Sequence, residues 1–247
     1  MNQPVIFDIE TSSQTLDTIK SILPPWDPAS IGSHPGEFDP SSVKTGNIKD
    51  PEKIKAKIDE AREKHEKAVV DFEAKATNGE QSHWTEIVEK AALSATIGQI
   101  VAIGYHGKKR IHDLAIEGKS ERQLLMTFWK TYKDVRQAGR QMVGFNIKGF
   151  DVPFIVQRSY ALGIDVPSSI LTPTGYLDQL FVDLLDRWKA GNRGFGPSGH
   201  MTLDAICRAC ALPGKPNDCT GADFARLLYG TPEERERAIR YLDCDLD

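Results

Sequence analysis

The chain has 247 residues, 40% hydrophobic and 27% charged, with a mean hydropathy of -0.39; this is the balance of one large globular domain, or of one domain carrying an insertion. No apolar run approaches the roughly 20 residues that cross a bilayer, MNQPVIFDIET lacks the basic start and apolar stretch of a secretory signal, and four cysteines make no disulfide scaffold, so the expected setting is cytoplasmic. With a net charge of -4 the chain lacks the positive field of a nucleic-acid-coating protein, and any nucleic acid would have to be met at a local site bringing its own cations.

Residues 3–9 alternate and are rich in β-formers, which predicts a strand with Val5, Phe7 and Ile9 on one face and Ile6, Asp8 and Glu10 on the other. Residues 23–47 are rich in Pro, Ser, Gly and Asp and read as loop, with Trp26 as its anchor. Asp50-Pro51 opens a charged helix whose Ile54, Ile58, Ala61, Ala68, Val69 and Phe72 recur at three- and four-residue steps. Thr77-Asn78-Gly79 is expected to break it, leaving Trp84, Ile87, Val88 and Ala91 to a second, shorter helix. Residues 21–91 therefore read as a helical hairpin inserted after the first strand, the two apolar stripes facing each other, within a single domain spanning 1–247.

Two strands follow at 99–105 and 110–116, joined by the turn His106-Gly107-Lys108-Lys109. Ser120 caps a helix to about residue 137, with Leu124, Leu125, Phe128 and Trp129 inward. Short strands are expected at 141–145 and 181–185, helices at 150–162 and 203–212, and a final helix from Thr231-Pro232 onward, with a Gly-rich loop at 191–200. Strands alternating with helices, two of them joined by a tight turn, make an α/β domain on a mixed sheet.

The chemistry is carried by acids. Asp8 and Glu10 leave one face of the first strand. Asp151 sits where a strand turns into a helix, and Tyr241 and Asp245 share one face of the last helix. Carboxylate oxygens are hard ligands suited to Mg²⁺ or Mn²⁺, and two such ions can serve the attacking and leaving oxygens of a phosphodiester.

FDIET (7–11), GFNIKGFDVPFI (144–155) and YLDCD (241–245) occur in the order of the three exonuclease motifs, and residues 201–230 extend the likeness. The chain resembles the DEDD-type 3′–5′ exonucleases of the ribonuclease H-like superfamily, tyrosine subclass, and is similar to the predicted exonucleases related to family-B DNA polymerase proofreading domains. The resemblance covers about 1–12 and 95–247 and leaves the insertion unexplained. It implies a mixed five-stranded sheet flanked by helices, and two divalent cations, Mg²⁺ or Mn²⁺, held by Asp8, Glu10, Asp151 and Asp245. It gives Tyr241 the task of orienting the nucleophilic water; Arg240, where the other subclass has a histidine, excludes that variant. Thr11, Asn146 and Phe150 would touch nucleic acid.

The implied activity is release of nucleoside monophosphates from the 3′ end of single-stranded DNA. The near alternative is an exoribonuclease of the same subclass. The alternative of another class is a non-catalytic module binding DNA ends, a polymerase or a replication protein. An endonuclease is disfavoured, since Tyr-x-x-x-Asp belongs to end-directed members.

Arg193, Phe195 and His200 in the Gly-rich loop could hold a splayed strand by charge and stacking, and Lys108, Lys109 and Arg110 could meet phosphates. Cys207 and Cys210 read as small core residues of a helix rather than zinc ligands, because no second pair follows at ligand spacing. Asp245 stands close to the chain end, so the final turn is expected to fray unless metal orders it; Asp243 and Asp247 are reserve ligands.

Overall fold

A computed structural model describes residues 3–46, 48, 50–170, 177–191, 201–214 and 219–247. In chain order its elements are β1 (Val5–Ser13), α1 (Leu16–Ile22), α2 (Pro51–Ala91), β2 (Gly98–His106), β3 (Arg110–Leu114), α3 (Glu121–Gln137), β4 (Met142–Gly144), α4 (Asp151–Ala161), α5 (Leu177–Leu180), β5 (Phe181–Asp183), α6 (Leu184–Lys189), α7 (Leu203–Ala209), α8 (Gly221–Leu228) and α9 (Pro232–Leu246). They fall into two compact units, Met1–Gln14 with Lys90–Asp247, and Thr15–Glu89.

The first unit is built on one five-stranded sheet in the order β3-β2-β1-β4-β5. β2 runs antiparallel to both neighbours, while β1, β4 and β5 are parallel. A tight antiparallel hairpin beside a parallel half is the mixed five-stranded sheet that the resemblance implies. The alternation of β1 sets its two faces. Val5, Phe7 and Ile9 enter a cluster with Leu124, Phe128 and Trp129 of α3 and Val152, Phe154 and Ile155 of α4. On the other face, Val101 and Ala102 of β2 pack with Phe224, Leu227 and Leu228 of α8 and with Leu242 and Leu246 of α9. Removing that much apolar surface from water on both faces is what fixes the layers.

Helix α9 comes very close to the sheet. A Cβ placed on Gly104 would lie 2.8 Å from Leu246 Cδ1 and 3.0 Å from Leu242 Cδ1. The helix starts at a full capping box, Thr231 with Glu234, and has Pro232 in its first turn. Its far end is not frayed. His106 Nδ1 donates to the Leu246 carbonyl at 3.3 Å and His112 Nε2 lies 2.7 Å from Asp243 Oδ1. Arg110 reaches Asp243 at 3.4 Å and also pairs with Asp247. The β2–β3 hairpin thus satisfies groups that a helix end leaves open, and Arg110 is committed to them.

The second unit corrects the hairpin reading of 21–91. α2 is one helix of 41 residues that runs straight through Asn78-Gly79. Gly79 is an accommodation rather than a break: a Cβ there would stand 2.9 Å from Trp26 Cζ2. Trp26 does anchor the loop, by crossing the helix where no side chain obstructs it. The stripe of Ile54, Ile58, Val69 and Phe72 is half-buried, but its cover is the Pro-rich loop and not a second helix. His34 meets Phe72 at 5.1 Å and Phe38 meets His65 at 5.5 Å between ring centroids, with the Arg62 guanidinium over Phe38. α1, which the sequence reading left unassigned, is capped by Thr15.

Helix α7 differs from its expected core role. Leu203, Ile206 and Cys207 are half-buried and Cys210 is exposed. Among the described residues no cysteine joins a metal-ligating group, and none of the helices is long and apolar enough to cross a membrane.

Candidate active site

The site begins with the side of β1 that turns away from Phe7. Asp8 and Glu10 leave that face, toward the layer that holds α9. Glu10 pairs across the strands with Ala102 and Thr11 with Ile100, so the register slips by one residue between them. Such a bulge re-aims the side chain beside it, and Glu10 is only 8% exposed. From α9, Tyr241 and Asp245 project one turn apart. The result is a triad of acids: Asp8, Glu10 and Asp245 each bring a carboxylate oxygen within 4.8 Å of the others. Three carboxylates at such spacing repel unless a proton or a cation lies among them.

Asp151 approaches from the parallel side of the sheet. β4 ends at Gly144, and the chain turns through Asn146 at φ 59, in the left-handed region that asparagine tolerates better than most residues. Two features hold the turn. Asp183, at the end of β5, accepts from the Asn146 N–H at 2.8 Å, the Lys148 N–H at 3.0 Å and the Leu185 N–H at 2.9 Å. Gly149 leaves room for the Asn146 side chain, whose Oδ1 would be 2.5 Å from any added Cβ. α4 then opens on Asp151, which does not cap its own helix through a later amide. Its Oδ1 accepts from the Ile9 N–H of β1 at 3.1 Å, tying the helix start to the strand between the two acids.

Asp151 is 3% exposed, and its acidity reflects that. Burial pushes its pKa up to about 7, against the lowering effect of the Ile9 amide and its own amide; the negative charges of Asp183 and Asp245 push it further up. Asp151 stands outside the triad's close grouping but feels its charge.

Asp8, Glu10, Asn146, Phe150, Asp151, Tyr241 and Asp245 line one cleft of about 610 Å³. The structure brings together these seven of the residues singled out in the sequence. Thr11 is not among the lining residues; its hydroxyl donates to the Ala92 carbonyl at 2.7 Å. Arg193 and Phe195, with His200, lie outside the described residues. Tyr241 is 9% exposed, its ring 6.4 Å from that of Phe224. Asp243, a reserve ligand by sequence, turns to Arg110 and His112 instead.

Residues 90–245, more than half of the chain, match the family described as predicted 3′-5′ exonuclease related to the exonuclease domain of PolB. The chain belongs to this family. The match takes in Asp151, Tyr241 and Asp245 and begins beyond β1, so Asp8 and Glu10 join the exonuclease-family segment through the sheet rather than within the matched stretch. Among solved structures, the family B DNA polymerase from the hyperthermophilic archaeon Pyrobaculum calidifontis is similar at a TM-score of 0.46 and 20% identity, over 60% of this chain and 20% of that one. No curated protein matches the chain.

Two supports of the site escaped the sequence reading. Asp183 looks like the end of a short strand, and nothing in FVD announces three backbone amides converging on its carboxylate. His112 and Arg110 read as hairpin surface, because only the fold shows that α9 ends against them.

Proposed function

We propose that this exonuclease-family chain is a metal-dependent 3′–5′ exonuclease that shortens single-stranded DNA by hydrolysis, with Thr15–Glu89 an insertion in a single catalytic domain. The observation that carries the reading is the triad of Asp8, Glu10 and Asp245 on one wall of a cleft that Asp151 and Tyr241 also line. All the triad's donors are carboxylate oxygens, which fits Mg²⁺ or Mn²⁺ rather than a softer ion. Asp8, Glu10 and Asp245 would hold one ion, and Asp151, with Asp8 shared, a second. Bound there, such ions supply charge neutralisation at the phosphate and a more acidic water.

The remaining work falls to the side chains. Tyr241 directs the attacking water through its hydroxyl, and burial of the ring keeps that hydroxyl in one place. Glu10 accepts from the same water. Asn146 and Phe150 meet the terminal nucleotides, Phe150 by offering a ring face to a base. Water adds to phosphorus, the bond from phosphorus to the 3′ oxygen breaks, and a nucleoside 5′-monophosphate leaves behind a new 3′ hydroxyl. A free single strand enters such a cleft without the cost of unpairing.

Digestion of a 5′-labelled DNA strand with Mg²⁺ or Mn²⁺ tests this. The expected result is a ladder shortening from the 3′ end, abolished by EDTA or by Asp8→Ala and slowed by Tyr241→Phe. A ladder that survives Asp8→Ala overturns the mechanism. Cleavage of a circular single strand would show an endonuclease, and faster digestion of RNA would shift the substrate to the exoribonuclease alternative. Binding of 3′ ends without cleavage would leave the non-catalytic module.

A further inference from the structure

The acidic cleft poses a problem of charge. Among the described residues that line it five are acids, Asp204 with the four discussed above, and none is a lysine or an arginine. A nucleic acid is itself a dense row of negative phosphates. Ions in the cleft would neutralise the phosphate under attack but not the rest of a chain, whose hold on the protein must come from other side chains.

The cations gather elsewhere on the same unit. One groove lies beside the β2–β3 hairpin and α3, a second beside the last turns of α3, and a third at the starts of β4 and β5. The second and third share Arg136, and the third and first share Arg140, which joins them into one track. Six cations line it, Lys108, Lys109, Lys119, Lys133, Arg136 and Arg140, against two acids, Asp113 and Asp134. This surplus stands in a chain whose net charge is -4, and the track shares no lining residue with the acidic cleft.

Lys119 is committed to Asp113. Lys108, Lys109 and Lys133 are exposed, and no ion pair among the described residues claims them. The negative end of α3 is reason enough for Arg136 in its last turn and for Lys133 a turn earlier. It is no reason for Lys108 and Lys109, which come from another element, or for Arg140, which follows the left-handed turn at Gly139. Between the cations stand exposed amides and a hydroxyl, those of Gln137, Gln141, Gln179 and Ser168, which donate to phosphate oxygens as well. The two tyrosines of the lining, Tyr105 and Tyr132, are buried, so neither presents a ring face. Single strands are gripped by stacking on such rings. Cations and polar donors without them suit the outside of a duplex, whose bases are already stacked.

We infer that this track binds the sugar–phosphate backbone of double-stranded DNA without regard to sequence. The choice of nucleic acid among polyanions rests on the phosphodiester chemistry proposed for the cleft, while binding itself needs neither the cleft nor its metal.

The test is fluorescence anisotropy of a short labelled DNA duplex with the full chain in EDTA, repeated over a range of salt. Each phosphate contact contributes about 0.9 to the slope of log K against log salt. The triple variant Lys108→Ala/Lys109→Ala/Lys133→Ala should weaken binding about tenfold or more and flatten that slope by about three. Lys53→Ala/Lys55→Ala/Lys57→Ala, which removes the same charge from exposed positions of α2, should change neither. All six lysines are exposed, so both variants should melt with the parent and lost binding would not be lost folding. Four results overturn the inference: no binding of the duplex, equal weakening by the two triple variants, an unchanged slope, or a single strand or polyglutamate bound through the three lysines as tightly as the duplex. Digestion with Mg²⁺ is scored apart. Cleavage without duplex binding in EDTA keeps the nuclease reading and removes the track; lysine-dependent duplex binding by a protein that never digests DNA does the reverse.

Discussion

Asp151 is the residue whose protonation state matters most. The usual carboxylate value is 3.8, and burial pushes this one up to about 7. Between those values the folded protein without metal keeps a proton that the unfolded chain has released, so this group makes stability fall as pH rises from about 4 to about 7, then level off. A cation reverses the preference by favouring the charged form. The shift in melting temperature produced by Mn²⁺ should therefore be larger at pH 8 than at pH 5.5, and Asp151→Asn should flatten that difference; scanning fluorimetry across pH checks both. At the triad three carboxylates crowd within 4.8 Å of one another, and a cation among them would ease their repulsion. Asp245→Asn should raise the metal-free melting temperature, by about 1 kcal/mol of stability at most, while abolishing the Mn²⁺-induced increase, the trade expected of a functional cluster.

At the scale of elements, periodicity and caps made much of the fold legible. The alternation of Val5, Phe7 and Ile9 gave the core face of β1, and Ser120 and Thr231 marked helix starts that the structure keeps. Asp8, Glu10, Asp151, Tyr241 and Asp245 were legible as a set because each stands at an element boundary or on a defined face. What failed was local propensity overruled by tertiary packing. Asn78-Gly79 looks like a helix break, yet the lack of a Cβ at Gly79 is what lets Trp26 lie across α2. Helix propensity alone credits Gly79→Ala with about 1 kcal/mol; pushing against the Trp26 ring should cancel that gain, so chemical denaturation should find the variant no more stable than the parent. The latch between the hairpin and α9 was equally invisible, being made by residues far apart in sequence. His112→Ala should cost about 1 kcal/mol, the scale of one partly exposed hydrogen bond to a charged group. It should also weaken Mn²⁺ up to about fivefold, by loosening the turn that carries Asp245, with the sheet intact by circular dichroism.

At the scale of the whole molecule, both apolar clusters belong to the unit made by Met1–Gln14 and Lys90–Asp247, while the Pro-rich part of Thr15–Glu89 is largely exposed. Limited proteolysis should nick between residues 23 and 50 first, as exposed backbone with few packed neighbours is cut most readily. The nicked protein should keep its cooperative melt, which calorimetry would show.

The wide separation of the triad along the chain has a consequence for biosynthesis. β1 leaves the ribosome more than two hundred residues ahead of α9, so Asp8 and Glu10 wait for that whole stretch of chain before Asp245 can join them. Contacts of such long range are the slowest to close. A nascent copy that lacks α9 cannot bring these three acids together, so any chemistry that needs the full triad waits until that helix has been made.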